Sequence, residues 1–312
     1  MSRKEFKSSP RISVIIPAFN KAETICRAIY SAVNQEHKPE ELIVIDDGST
    51  DDTAKRAAEA LRYAQSQGIV AKLITQENSG VSAARNAGIR CASTEYVALL
   101  DGDDEWLPNH ILITAKLIKN NSDASLYFTG FKLCRMGIFK VPKFGVKSGH
   151  DGYLSNFFLA SRIGKTSNSS NSCIKKSAFI ALGGFPVGVI AGEDLYTWIM
   201  LALNGKVACT SEISSIVHHG PEHLSGKRLA IVPYPVLYFS QKCKILEDNP
   251  ELKRLLITIA YKHYLFSVLK GSPNGAWVRW CSLLGVAPVI ATILLPALLF
   301  SVLLLPRSRT TA

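Results

Sequence analysis

Three carboxylates, Asp101, Asp103 and Asp104, follow at once on the apolar run Tyr96-Val97-Ala98-Leu99-Leu100. Acidic side chains crowded at the end of a buried strand are hard oxygen donors, the ligand type that Mg²⁺ and Mn²⁺ take. A second acidic cluster, Asp46-Asp47-Gly48-Ser49-Thr50-Asp51-Asp52, follows Leu42-Ile43-Val44-Ile45 in the same strand-then-turn arrangement. A third pair, Glu193-Asp194, opens a segment of helical spacing. A carboxylate there can answer the helix dipole or take a proton from a substrate. Asp51 and Asp52 precede another helical pattern, and Asp51 reads as its cap.

The elements that must position these groups alternate. Ile12-Ser13-Val14-Ile15-Ile16 is a β-branched run stopped by Pro17, and helical apolar spacing follows from Ala22 to Val33. The unit repeats as Leu42–Ile45 with a helix over 53–64, Val70–Ile74 with a helix over 81–89, and Tyr96–Leu100 with a helix after Pro108. Strands alternating with helices predict an α/β domain, Rossmann-like, with a mainly parallel central sheet. Such sheets bind ligands outside the carboxyl ends of their strands, where the first two acidic clusters lie. Ala124–Phe128 is expected as a fifth strand; the Gly-, Lys- and Ser-rich stretch through Lys165-Thr166-Ser167-Asn168-Ser169-Ser170 is expected as loop or lid. Order is expected again over 178–185, and helix over 234–270.

Five signatures stand in order: Pro17-Ala18-Phe19-Asn20, Asp46-Asp47-Gly48-Ser49-Thr50-Asp51, Asn78-Ser79-Gly80 with Ala84-Arg85-Asn86, Asp101-Gly102-Asp103-Asp104, and Gly192-Glu193-Asp194. Together, over residues 11–220, they resemble glycosyltransferase family 2, inverting enzymes with a GT-A fold, of the kind that builds bacterial surface glycans. The resemblance implies a nucleotide-sugar donor, a UDP-sugar by family habit, and a Mg²⁺ or Mn²⁺ cofactor. It places Pro17, Ala18, Asn20, Asp47, Arg85 and Asp101 at the donor, with Asp101 and Asp103 on the metal. Asp194 becomes the base, and Glu193 supports it. Asp104 is either a water-mediated ligand or a helix cap, and His219 is a further metal candidate set against a surface reading of the adjacent His218 and His219. Trp106 and Trp198 read as core or as an acceptor platform. The Gln-x-x-Arg-Trp motif of processive family members is missing after Asp194, so transfer of one sugar is expected.

Lys and Arg total 36 against 25 Asp and Glu, a formal charge of +11, which suits phosphorylated substrates or an anionic membrane. No nucleic-acid recognition motif accompanies that charge, so nucleic acid is not an expected partner. Seven scattered cysteines without a Cys-x-x-Cys pair argue against a disulfide framework. From Cys281 to Pro306 no residue is charged, a length that can cross a bilayer despite Pro288 and Pro296. That segment can equally be re-entrant or pack as a helix.

The expected organisation is a basic tail over 1–10, a GT-A catalytic domain over 11–230 with its nucleotide half over 11–134 and acceptor half over 135–230, a helical extension over 231–280, a transmembrane or membrane-associated helix over 281–306, and a tail over 307–312. The expected activity is metal-dependent inverting transfer to a hydroxyl of a glycan or lipid-linked acceptor at the cytoplasmic face of the cell membrane. A polyprenyl-phosphate sugar synthase and a non-catalytic binding protein of the same fold are the rivals.

Overall fold

A computed structural model describes residues 9–220 and 231–269 together with Trp280, Cys281 and Leu284. The first half runs β1 (Ile12–Ala18), α1 (Ile25–Val33), β2 (Glu41–Asp46), α2 (Thr53–Ser66), β3 (Val70–Thr75), α3 (Val81–Cys91) and β4 (Tyr96–Leu99). Then follow β5 (Glu105–Trp106), α4 (His110–Asn120), β6 (Ala124–Arg135), β7 (Ile138–Lys140), β8 (Asp151–Tyr153), α5 (Phe157–Ile163), a 3₁₀ turn (Ser169–Asn171) and β9 (Ser172–Lys175). The order closes with α6 (Lys176–Ala181), α7 (Glu193–Asn204), β10 (Lys206–His218), α8 (Tyr234–Ser240), α9 (Cys243–Asp248) and α10 (Pro250–Leu269).

One sheet carries these strands in the order β3-β2-β1-β4-β9-β6-β10-β5. The β3-β2-β1-β4 half is parallel, in register Ile15↔Ile43 and Ile15↔Leu99. Its inner strands β1, β2 and β4 are mainly apolar and buried because helices cover both faces, while the edge strand β3 is partly exposed and carries Lys72. Alternate residues serve the two faces: Ile12, Val14 and Ile16 join a buried cluster with Ile25 and Ile29 of α1 and Leu61 of α2. On the opposite face α3 lies so close that a methyl group on Gly88 would sit 2.5 Å from Ile15 Cγ2. That contact fixes the helix bearing Arg85 and Asn86 against the strand that ends beside the acidic edge.

The second half departs from the alternation. β9 lies antiparallel between β4 and β6, while β10 runs parallel to β6 and antiparallel to β5 and β8. The expected fifth strand extends beyond Phe128 to Arg135 and folds back as β7, and the stretch read as loop contains β8, α5 and the 3₁₀ turn. Their two- to four-residue strands are too short to show a period, and their pairing is with distant segments.

The chain divides into two compact units, Met1–Val189 with Asp194–Gly220, and Ile190–Glu193 with Pro221–Ala312. Within the second, Tyr234 N donates to Ala191 O at 2.9 Å, and α8, α9 and α10 occupy the expected helical stretch. No helix among the described residues is long and apolar enough to cross a membrane. The segment 281–306 expected to do so lies outside the described residues except for Cys281 and Leu284. All seven cysteines are free thiols, with Cys134, Cys173 and Cys209 buried.

Candidate active site

The carboxyl ends of β1, β2 and β4 form the acidic edge. Asp47 N donates to Ala18 O at 2.8 Å, so the residue just past β2 is tied to the end of β1. Asn20, at φ 50°, continues the link: its backbone N–H donates to Ser49 Oγ at 2.9 Å, and its Oδ1 accepts from Thr50 N at 2.9 Å. Asn is among the few residues that enter this left-handed region at small cost. Pro17, Ala18 and Asn20 thus line the same edge as the Asp46–Asp51 turn.

Asp47 is buried, and its carboxylate gathers the next loop: Oδ1 accepts from Gln76 Nε2 at 2.7 Å and Ser79 N at 3.0 Å, and Oδ2 from Gly80 N at 2.8 Å. Gly48 at φ 75° permits this approach, since a side chain there would press to 2.8 Å from Asn78 N. Asp52 stands at the N-cap of α2 without a side-chain capping bond, so the cap reading is corrected by one residue, and the turn just before the helix is closed by Asp51. Its Oδ1 accepts from Thr53 N at 3.0 Å and from the Thr53 hydroxyl, which together with the Ala22 N–H holds its pKa below the usual carboxylate value. Asp46 is buried at the end of β2, with its Oδ1 unpaired among the described residues.

Beyond β4 each carboxylate meets a different environment. Asp101 Oδ1 receives Arg85 Nη2 at 2.7 Å, the Arg85 side chain being 4% exposed and that of Asp101 32%. Asp103 Oδ2 receives Lys21 Nζ at 2.5 Å, and Arg27 donates to the Asp103 carbonyl. Asp104 is buried and accepts from the Ser170 hydroxyl and from His218 N at 2.8 Å. Burial first, then the charges of Asp101 and Asp103, push its pKa well above the usual carboxylate value. The cap reading of Asp104 is corrected: Asn109 stands at the N-cap of α4, and Asp104 turns inward to the 3₁₀ turn and β10.

Asp194 sits in the first turn of α7, half-buried, with Oδ1 accepting from Leu195 N at 2.6 Å, and Glu193 opens the same helix. A chain of rings joins this helix to the arginine of α3. Arg85 lies over Phe185 at 5.4 Å, and Phe185 meets Trp198, one turn after Asp194, edge-on at 5.8 Å. Trp198 and Trp106 are both buried, which fits the core reading. His219 N donates to Cys134 O at 2.9 Å, and the His218 ring faces Glu105 at 2.9 Å. Among the described residues no three His, Cys, Asp or Glu side chains form a ready-made metal cluster. Asp101 and Asp103 nonetheless suit a divalent cation in kind, being adjacent, half-exposed carboxylates whose second oxygens accept no hydrogen bond among the described residues.

Sequence reading missed Lys21, Ser170 and Phe185. Ser170 donates to Asp104 and accepts from Asp101 N at 3.1 Å, yet it lies in a polar stretch that reads as loop. Lys21 follows Asn20 directly, and a lone cation after a turn carries no signal of its partner.

Residues 13–148 match the family model Glycosyl transferase family 2. An uncharacterized glycosyltransferase of Rickettsia conorii is 29% identical over 204 residues, covering 65% of this chain and 32% of its own length. A cholesterol galactosyltransferase of Borreliella burgdorferi is 36% identical over 140 residues, 43% of this chain and 38% of its own. The chain therefore spans about a third of the length of these curated relatives. Residues 1–349 of S. aureus TarS, crystallised with UDP-GlcNAc, superpose with a TM-score of 0.69 at 18% identity, over 94% of this chain and 87% of that one. The strand order, the acidic edge and the matched sequence agree: residues 13–148 are similar to a glycosyl transferase family 2 domain, and the chain has a GT-A-type α/β fold.

Proposed function

We propose that this chain moves one sugar from a nucleotide-sugar donor, a UDP-sugar, to a hydroxyl of a glycan or lipid-linked acceptor, with inversion at the anomeric carbon. The Arg85–Asp101 pair at the end of β4 carries the reading. It sets a nearly buried guanidinium, built for charge-assisted contact with a diphosphate, beside a carboxylate that can face a cation. Crystallisation of TarS with UDP-GlcNAc supports the donor class.

In this reading Asp47 and the turn after β1 meet the nucleoside, and Arg85 meets the diphosphate. Asp101 and Asp103 would hold Mg²⁺ or Mn²⁺, which when bound neutralises negative charge growing on the leaving nucleotide. Asp194 takes the proton of the acceptor hydroxyl as its oxygen bonds to the anomeric carbon. The bond from that carbon to the diphosphate oxygen breaks on the opposite side, and the electron pair leaves with the nucleotide. Glu193 orients the neighbourhood of the base, and His219 is a further candidate at the cation. The segment 281–306 would hold the enzyme at the cytoplasmic face of the membrane, near lipid-linked acceptors.

The test is thermal unfolding of the detergent-purified full chain with UDP-, GDP- and dTDP-sugars, each with Mn²⁺, Mg²⁺ or chelator, since ligands of the folded state raise Tm. A rise with UDP-sugars that chelator abolishes is expected. No rise with any donor, from a protein that unfolds cooperatively, overturns the proposal.

A further inference from the structure

The β6–β7 hairpin projects apolar side chains that nothing in the transfer chemistry requires. Met136 is 86% exposed, Ile138 74%, Phe139 55% and Val141 51%. Among the described residues β7 pairs only with β6, in register Arg135↔Ile138 and Cys134↔Phe139, so Ile138 and Phe139 point to opposite faces of the ribbon. The tip residues Met136 and Gly137 have φ 51° and 79°. That pattern belongs to the mirror-image two-residue turn, in which Asn-Gly is the favoured pair. The turn demands the left-handed region at this position, and a methionine, not the favoured Asn, fills it, so an apolar side chain stands at the most exposed point of the ribbon in spite of its backbone cost.

The charge around the tip has one sign. Between Asp123 and Asp151 the sequence holds no acidic residue and five basic ones. Lys132 lies over the Phe139 ring at 4.7 Å, and Arg135, Lys140 and Lys143 are exposed beside it. A rigid protein partner would be met by one apolar face. Apolar groups on both faces and on the tip, with cations at the base, suit immersion in a fluid, with long basic side chains reaching back to headgroups.

We propose that the β6–β7 hairpin inserts its tip, Met136 to Val141, into an anionic lipid surface. The apolar side chains enter the acyl boundary, and Lys132, Arg135, Lys140 and Lys143 meet lipid phosphates. This contact is independent of the segment 281–306 and of the sugar-transfer chemistry.

The test uses the full chain reconstituted into phosphatidylcholine vesicles with or without phosphatidylglycerol, reading backbone hydrogen exchange over 133–142. With phosphatidylglycerol present, exchange there slows about tenfold or more. Phe139→Trp also gains fluorescence quenching by brominated lipid beyond that of the unsubstituted chain. The double variant Ile138→Ser/Phe139→Ser loses the slowing while keeping donor-induced stabilisation. A vesicle-bound chain whose hairpin exchanges as it does in detergent overturns the proposal and leaves a C-terminal anchor standing. Equal slowing by soluble polyphosphate or by an anionic polysaccharide also overturns it, in favour of a polyanion site. Donor stabilisation is read separately, so failure of the transfer chemistry is seen apart from failure of the hairpin.

Discussion

Asn86 and Phe185 hold each other by two hydrogen bonds: Phe185 N donates to Asn86 Oδ1 at 2.8 Å, and Asn86 Nδ2 donates to Phe185 O at 2.9 Å. The side chain of one helix residue thereby replaces a strand partner for a chain segment 99 positions away. Because Phe185 also underlies Arg85 and abuts Trp198, this contact sets the position of Arg85 relative to the helix that carries Asp194. Replacing Asn86 by Ala leaves a buried N–H and C=O of Phe185 unpaired, a loss of about 2–4 kcal/mol. Urea denaturation measures it; a midpoint unchanged from that of the parent chain would show that the two bonds contribute nothing.

The proposed chemistry separates by variant. Asp103→Ala is expected to weaken donor binding in the presence of Mn²⁺ by about tenfold or more, because one of two cation ligands is lost. Asp194→Asn keeps donor affinity and lowers kcat by roughly 10²–10⁴, the usual contribution of a general base. Calorimetry and a transfer assay read the two effects. Full activity in Asp194→Asn would move the base elsewhere or point to a phosphate acceptor that needs none.

His110 makes stability depend on pH. It is fully buried, stacks on Trp106 at 4.0 Å, and has Nδ1 2.9 Å from Ser214 Oγ. Burial pulls its pKa down to about 3. Between that value and the unfolded value near 6.5 the unfolded chain binds a proton that the native chain refuses. Stability contributed by the neutral ring is therefore full above about pH 6.5 and falls as pH drops, by up to ~1.4 kcal/mol per unit. Denaturation midpoints measured from pH 8 to pH 5 should fall less steeply in His110→Phe, where no proton is taken up. Parallel slopes would show that other groups dominate this range.

Gly88→Ala tests the seating of α3. The added methyl would lie 2.5 Å from Ile15 Cγ2 and 3.2 Å from Ile45 Cγ1, so the helix must lift off the sheet. A loss of about 1–3 kcal/mol is expected from overpacking. Since Arg85 shares the helix, weaker donor binding should accompany it. A second change, Ile15→Ala, removes the Cγ2 methyl at the contact and should cost less stability beside Gly88→Ala than in the parent chain.

The parallel half of the fold was legible because three of its four strands are apolar runs closed by Pro17, by Asp46-Asp47 or by Asp101-Gly102, each with a helical pattern behind it. The acidic edge followed from those endings alone. What lay hidden depended on contacts made across long sequence distances. β9 is the four residues Ser172-Cys173-Ile174-Lys175, and nothing in them announces two partners at 96–98 and 126–128. Asp104 is adjacent to two residues read as ligands, yet its direction is decided by Ser170 and His218, far away in the chain. Local rules place an acid at a strand end; only the folded chain shows whether it turns outward or inward.

The insertion of β9 between β4 and β6 bears on how the protein is made. A nascent chain emerges from its N-terminus. The parallel half is complete in sequence by residue 99 and β6 by residue 135, but the strand that joins them ends at Lys175. Throughout that interval of synthesis β4 and β6 each offer an open edge, the kind of surface that recruits stray strands. Order of emergence and order of assembly are thus out of step, and a ribosome pausing before Lys175 would hold the protein at its most vulnerable stage to misassembly.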